Sequence, residues 1–281
     1  MEHLRWSSRP ELHQPVVVAA FEGWNDAGDA ASTAVAWLRD RWQARRFASI
    51  DPEDFFDFTS TRPHVELVDG VTREIRWPAN EFSAARVDDR LDVVLLAGTE
   101  PQLRWRTFCE QVTDLARTYD ARMVVTLGAL LAEVAHSRPV SVVCTSSDRE
   151  LMRRLGVSAS TYEGPTGIVG VLHDACRRAG LLSASLWAAV PAYVPGAPSP
   201  KAALALVERT AQLLDVGVTT TDLEIASAAY ERQVSEVVAG DEDMAGYVAR
   251  LEARDDEEDG DVSPGSLVEE VERFLRNSSE D

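Results

Sequence analysis

Residues 16–32 constrain the fold of this chain more than any other segment. The run Val16-Val17-Val18-Ala19-Ala20-Phe21 is continuously apolar, as a strand covered on both faces must be. It stops abruptly at Glu22-Gly23-Trp24-Asn25-Asp26-Ala27-Gly28-Asp29. From Gly28 to Trp42 the apolar residues Ala31, Val35, Leu38 and Trp42 then recur at near-helical spacing. A buried strand that turns directly into a helix is the unit of an open α/β sheet, and such sheets bind ligands at the carboxyl ends of their parallel strands. Glu22, Trp24, Asn25, Asp26 and Asp29 therefore stand where a site belongs.

The same grammar continues along the chain. Residues 44–50, 91–97, 122–127, 140–144 and 185–190 read as strands, and 103–119, 148–155 and 168–178 as helices. Residues 64–68 and 71–77 flank Asp69-Gly70, a pair suited to the positive-φ positions of a tight hairpin turn. Alternating strands and helices predict a mostly parallel sheet with helices on both faces. Past Pro198 the pattern becomes helical, at 199–215, 222–239, 243–252 and 264–276. The expected organisation is a loosely held arm at 1–14, an α/β domain at 15–198, and a helical C-terminal region at 199–281. An acidic stretch at 254–261 has the composition of a mobile linker.

Composition narrows the function classes. With 28 basic and 47 acidic residues the net charge is −19. Residues 255–281 contribute eleven acids against Arg273 and Arg276, a net of −9, so the remaining −10 belongs to residues 1–254. Such a surface lacks the basic footprint that nucleic acids and anionic membranes require, and it favours basic partners. The three cysteines are odd in number and form no C-x-x-C pair, which fits a reducing compartment. No run approaches the ~20 apolar residues of a membrane span, and a cytoplasmic protein is expected.

Three clusters carry the candidate chemistry. In the first, Asp26 sits where a helix N-cap belongs, with Asp29 three residues on to complete a capping box. Alternatively Glu22, Asn25 and Asp26 line a cleft for a polar ligand, a metal or a basic side chain. The three carboxylates suit Mg²⁺, although no metal or cofactor is assigned, and Trp24 reads better as core than as a lid. The second cluster is Glu163-Gly164-Pro165-Thr166-Gly167, ahead of the helix at 168. It is either a glycine-permitted helix start or an anion cradle; Glu163 argues against the cradle. In the third, Tyr193 and Lys201, the only lysine, flank a proline-rich connection and are placed at the mouth of the same cleft. No G-x-S-x-G elbow or metal-spaced histidine pair is present. His64, His136 and His173 read as surface or satisfied histidines, Cys144 as a core thiol, and Ser146 and Ser147 lack a histidine nearby.

The segments Phe21-Glu22-Gly23-Trp24-Asn25-Asp26-Ala27-Gly28, Gly164-Pro165-Thr166-Gly167-Ile168 and Val190-Pro191-Ala192-Tyr193-Val194 with Pro198-Ser199-Pro200-Lys201-Ala202 resemble, in order, the proteasome assembly chaperone 2 family. The resemblance implies a fold related to nucleoside phosphorylases and a self-associating protein, a homotrimer. It also implies a proteasome or assembly-related partner. Relatives often carry histidine where this chain has Ala192, so no catalytic histidine is expected there. The ending Ser279-Glu280-Asp281 lacks the hydrophobic–Tyr–any tail with which eukaryotic members dock. Two functions are carried forward. One is a non-enzymatic assembly or scaffold protein. The other is a nucleoside-like small-molecule binder or enzyme, phosphorylase-like or an ATP-dependent carboligase, using the cleft after the first strand.

Overall fold

The computed structural model describes residues 2–146, 148–155 and 163–258. Its centre is an eight-stranded sheet in the order β1-β3-β6-β7-β2-β8-β10-β9. The strands are β1 (Leu4–Trp6), β2 (Val16–Glu22), β3 (Arg45–Ile50), β6 (Asn80–Arg86), β7 (Asp92–Thr99), β8 (Met123–Ala132), β9 (Val142–Ser146) and β10 (Ser183–Pro191). β4 (His64–Val68) and β5 (Thr72–Arg76) form a separate hairpin. The central strands β7, β2, β8 and β10 are mutually parallel, and β3, two antiparallel steps from β7, shares their direction. β1, β6 and β9 run the opposite way. The sheet is thus mostly parallel by strand direction, as the sequence predicts.

The apolar runs are continuous because both faces are covered. Val16, Val18 and Ala20 of β2 point to one core, with Val93 and Leu95 of β7 and Val125 and Leu127 of β8. α1 (Ala30–Arg41) and α5 (Pro200–Leu214) close that face through Val35, Leu38, Leu206 and Val207. Val17, Ala19 and Phe21 point the other way, against α2 (Trp105–Thr118) and α4 (Ile168–Ala179). Burying each Val, Leu or Phe contributes about 1.5–3 kcal/mol, so these two layers dominate the stability. α3 (Arg149–Leu155) follows β9, and α6 (Thr221–Ala239) and α7 (Glu242–Glu258) complete the described chain. No helix among the described residues is long and apolar enough to cross a membrane.

The structure corrects several expectations. The arm at 1–14 is docked: β1 pairs with β3, the His13 N–H donates to Asp92 (2.7 Å), and Arg122 donates to the Gln14 carbonyl (2.9 Å). Trp6 packs near Phe47 and Tyr119 with the Arg9 guanidinium over its ring. α5, read as part of the helical C-terminal region, belongs to the sheet's own covering layer because Ala202, Ala203 and Leu206 are core residues. The acidic stretch is helical as far as Glu258. Arg138 pairs with Asp256, and Arg254 bonds the Glu133 carbonyl, which supplies positive charge to that turn. The rest of 254–261, the helix expected at 264–276 and Ser147 lie outside the described residues.

His173 gives the fold a testable pH dependence. Its Nε2 lies 2.8 Å from Thr126 Oγ1 and its Nδ1 2.9 Å from Ser183 Oγ. Burial pushes its pKa down to about 4, below the ~6.5 of an unfolded histidine. The unfolded chain therefore takes up the proton first. The resulting stability is complete above pH ~6.5 and is lost as pH falls toward 4, up to about 3 kcal/mol. Thermal unfolding between pH 7.5 and 5 should show this loss, and a shallower loss in His173→Gln, which keeps a hydrogen-bonding side chain without the titration. Equal slopes would remove His173 as the cause.

Candidate functional site

β2 and β7 are neighbours whose following helices, α1 and α2, pack on opposite faces of the sheet. That arrangement leaves a crevice at the strands' carboxyl ends. β2 ends at Glu22, which is exposed and accepts from Thr99 Oγ1 (3.2 Å) at the end of β7. Gly23 follows with φ of 118°, a conformation that favours glycine, and Asp26 N–H closes the turn on the Gly23 carbonyl (3.0 Å). Trp24 rides this turn outside the sheet layers and is 48% exposed. The reading of Trp24 as core fails, because the side chain is left exposed on the turn.

Asn25 and Asp26 return to the interior. The Asn25 carbonyl accepts from Ala129 N–H (2.8 Å), so the segment briefly continues alongside β8. Asp26 Oδ1 accepts from Ala31 N–H (2.6 Å) and Ser32 N–H (3.2 Å), which caps α1 as predicted. It does so across a single 3₁₀ turn at Ala27–Asp29. That turn leaves Asp29 in a left-handed conformation (φ 50°), and its side chain makes no capping bond. The expected reciprocal box is therefore absent. Asp26 Oδ2 is buried without a partner. Burial raises the Asp26 pKa against the opposing effect of its hydrogen bonds to Ser32 and Ala31.

Glu100 joins the two halves of the crevice. Its Oε1 accepts from Asn25 Nδ2 (2.9 Å) and from Ile168 N–H (2.8 Å), the first helical amide of α4. The helix start after Gly167 thus already receives an anion, and the anion is the protein's own carboxylate, that of Glu100. Gly167 brings this about: a Cβ there would lie 2.3 Å from Asn25 Nδ2 and 2.8 Å from Glu100 Oε1. Glu163 and Thr166 are exposed, with Thr166 Oγ1 against Gly170. Glu100 was missed among the site residues. Its position gave the available signal, since it ends the β7 run beside Glu22.

Tyr193 and Lys201 belong elsewhere. Lys201 Nζ donates to the His136 carbonyl (2.6 Å) and pairs with Glu231 of α6 (2.7 Å). His136 N–H donates to Tyr193 Oη, which lies 2.7 Å from His136 Nδ1, and His136 Nε2 is 3.0 Å from Ser235 Oγ. Ser235 donates to the Glu231 carbonyl (2.8 Å). Its oxygen is then left to accept from Nε2–H, so Tyr193 donates to Nδ1 and the histidine is neutral. Burial, with Lys201 adding to it, lowers the His136 pKa accordingly. Burial raises the Tyr193 phenol to about 12. The network locks α6 onto the loops after β8 and β10. The adjoining cavity, lined by Ser199, Lys201 and Tyr230, is about 20 Å³; that is room for one water and none for a nucleoside.

The thiols and Ser146 are engaged or buried. Burial pushes Cys109 and Cys176 up to about 12 and raises Cys144. Ser146 donates to the Ser183 carbonyl. No three His, Cys, Asp or Glu side chains among the described residues group as a metal site, Glu22, Asp26 and Asp29 included. The bonds of Glu100 within the crevice join one part of the chain to another. Glu100→Ala should then lower stability by about 2 kcal/mol, because it strands the Asn25 amide and uncaps α4. Gly167→Ala should cost at least as much. Urea unfolding measures both; a loss below about 0.5 kcal/mol for Glu100→Ala would mean the contact is incidental.

Comparison with known proteins follows the same segments. The sequence profile of the PAC2 family matches residues 20–238. No curated protein sequence matches the chain. Among solved structures, a PAC2 family protein of Streptomyces avermitilis is 47% identical, with a TM-score of 0.79 over 83% of this chain and 99% of that one. A proteasome-assembly chaperone homologue of Mycobacterium tuberculosis is 48% identical, with a TM-score of 0.76 over 83% and 99%. An archaeal proteasome activator of Pyrococcus furiosus shares the fold at 17% identity, with a TM-score of 0.68 over 83% and 97%. The chain belongs to the PAC2 family.

Proposed function

We propose that this chain is a non-enzymatic, self-associating assembly protein, a homotrimer working in the cytosol on a proteasome or proteasome-assembly partner. The observation that carries the reading is the 48% identity to the Mycobacterium tuberculosis proteasome-assembly chaperone homologue across nearly all of that protein. Three physical features support it. The Asn25 amide and the Glu100 carboxylate are engaged in structural bonds within the crevice. The thiols are buried and weakly acidic. The net charge of −19 suits a basic protein surface.

One observation favours the second reading, a small-molecule binder at the crevice. Asp26 Oδ2 is buried with no partner, and an orphaned polar atom of that kind costs about 1–3 kcal/mol unless something satisfies it. A nucleoside-like ligand with an N–H or O–H donor is the corresponding class.

Native co-purification of the N-terminally tagged chain, with mass spectrometry of retained proteins and metabolites together, separates the two. Proteasome subunits or assembly factors at stoichiometric level are the expected result. A retained metabolite without a protein partner would transfer the assignment to the crevice. That metabolite should then raise Tm for the wild type and fail to do so for Asp26→Ala.

A further inference from the structure

The hairpin β4–β5 has the composition of an interface. Val65 lies opposite Ile75, and Leu67 opposite Arg73, so these four side chains share one face. Trp77 continues the alternation from Ile75. The other face is polar, with Glu66 bonded to Arg76 (2.7 Å). Asp69 and Gly70 turn the ribbon with φ of 53° and 71°. Val65, Leu67, Val71, Ile75 and Trp77 are each between 47% and 84% exposed. A two-stranded ribbon is marginal in water by itself. Here only the Trp77–Phe58 contact, centroids 4.7 Å apart, ties its apolar side chains to the body among the described ring contacts.

The hairpin also has a definite place. β3 ends and β6 begins at the carboxyl end of β7, where Asn80 pairs with Gly98. The excursion between them is anchored there, with the Phe55 carbonyl accepting from Gln102 and Leu103 N–H and Thr61 accepting from Gln102. The ribbon therefore stands at the end of the sheet that carries the crevice. At that same end Trp24 and Leu103 are exposed apolar side chains, and Glu22 is an exposed carboxylate beside Trp24.

We propose that the apolar face of this hairpin seats on the Trp24–Leu103 rim of a second copy of this chain, in a head-to-tail contact. The proposal rests on the self-association put forward above and names its surfaces. Area supports it: the exposed apolar side chains of the ribbon amount to roughly 500 Å², at the upper end of what a monomer leaves bare and over half of one side of a stable interface. Charge supports it as well. Residues 62–77 hold three arginines and three acids in a chain of net charge −19, so the ribbon carries no net charge for another copy to repel. Arg73 on its apolar face complements Glu22 on the rim. Head-to-tail contact of this kind is heterologous, each copy giving its hairpin to one neighbour and its rim to another, and it closes a ring when the rotation between copies permits.

Light scattering coupled to size-exclusion chromatography of the full chain tests this. Val65→Glu with Ile75→Lys places an opposite-charge pair across the ribbon, which keeps the strands paired while removing the apolar contact. Wild type should be multimeric, and this double variant monomeric with an unchanged circular dichroism spectrum. Trp24→Lys, on the rim, should also be monomeric. Mixing the two variants should give a one-to-one heterodimer, since each retains one intact surface. A double variant that remains multimeric overturns the hairpin contact and leaves self-association standing. A Trp24→Lys protein that remains multimeric, or a mixture that stays monomeric, overturns the head-to-tail geometry. A monomeric wild type overturns this inference and the self-association with it, while co-purification still decides the proteasome reading independently.

Discussion

The carboxylate of Glu100 holds together parts of the chain that are far apart in sequence. Its Oε1 accepts from the Asn25 amide, 75 residues upstream, and from the first amide of α4, 68 residues downstream. Asp26, next to Asn25, caps α1 on the opposite face of the sheet. Two adjacent residues of one turn thus reach, directly or through Glu100, the amino ends of helices on both faces. Each of those helix ends carries a partial positive charge that an acid stabilises. The glycine at 167 is the steric condition for this, since any side chain there would meet both Asn25 and Glu100. The cluster's polar residues are anchors first, and whatever the crevice binds is bound by what they leave over, chiefly Asp26 Oδ2.

Where hydrophobic pattern determines structure, the chain is legible. β2 and β7 are covered on both faces and read as unbroken apolar runs, and α5 begins at a Ser199-Pro200 cap that the structure forms, with Ser199 accepting from Ala202 N–H. β6 was not foreseen, because Asn-Glu-Phe-Ser-Ala-Ala-Arg has no apolar run; it is a strand because β3 and β7 pair with it on either side. β1 was lost for the same reason, its three residues depending on the edge of β3. Site residues were legible as positions and not as partners. Glu22, Asn25 and Asp26 were placed at a strand end from periodicity, whereas Glu100 enters only through sheet order. Tyr193 and Lys201 were placed at the crevice because they flank the proline-rich connection that leaves β10. In fact Ser199 N–H does bond the Gly28 carbonyl, while Lys201, two residues on, turns to Glu231.

The His136 network shows how α6 and α7 are joined to a body that carries so much negative charge. Glu231, Glu252 and Glu133 would repel one another across that junction. Lys201, Arg138 and Arg254 are interposed among them, each bonding a carbonyl as well as a carboxylate. Backbone carbonyls thus spread the cations over more than one partner, which keeps the junction from depending on a single exposed ion pair worth well under 1 kcal/mol. The neutral His136 completes it without adding a charge.

The same acidity limits how copies of this chain meet. Two bodies that are each strongly negative repel at long range, over about a Debye length of 8 Å at physiological salt, so contact has to begin where charge is balanced. The hairpin is balanced, apolar on one side, and stands at the crevice end of the sheet. Packing it against Trp24 and Leu103 of a neighbour would place the ribbon beside that neighbour's Glu22 and Asn25–Asp26 turn. The two readings of the crevice are then physically coupled. A ligand satisfying Asp26 would be enclosed by the neighbouring copy or would compete with it, and occupancy of the crevice and the association of copies would each shift the other by the same free energy.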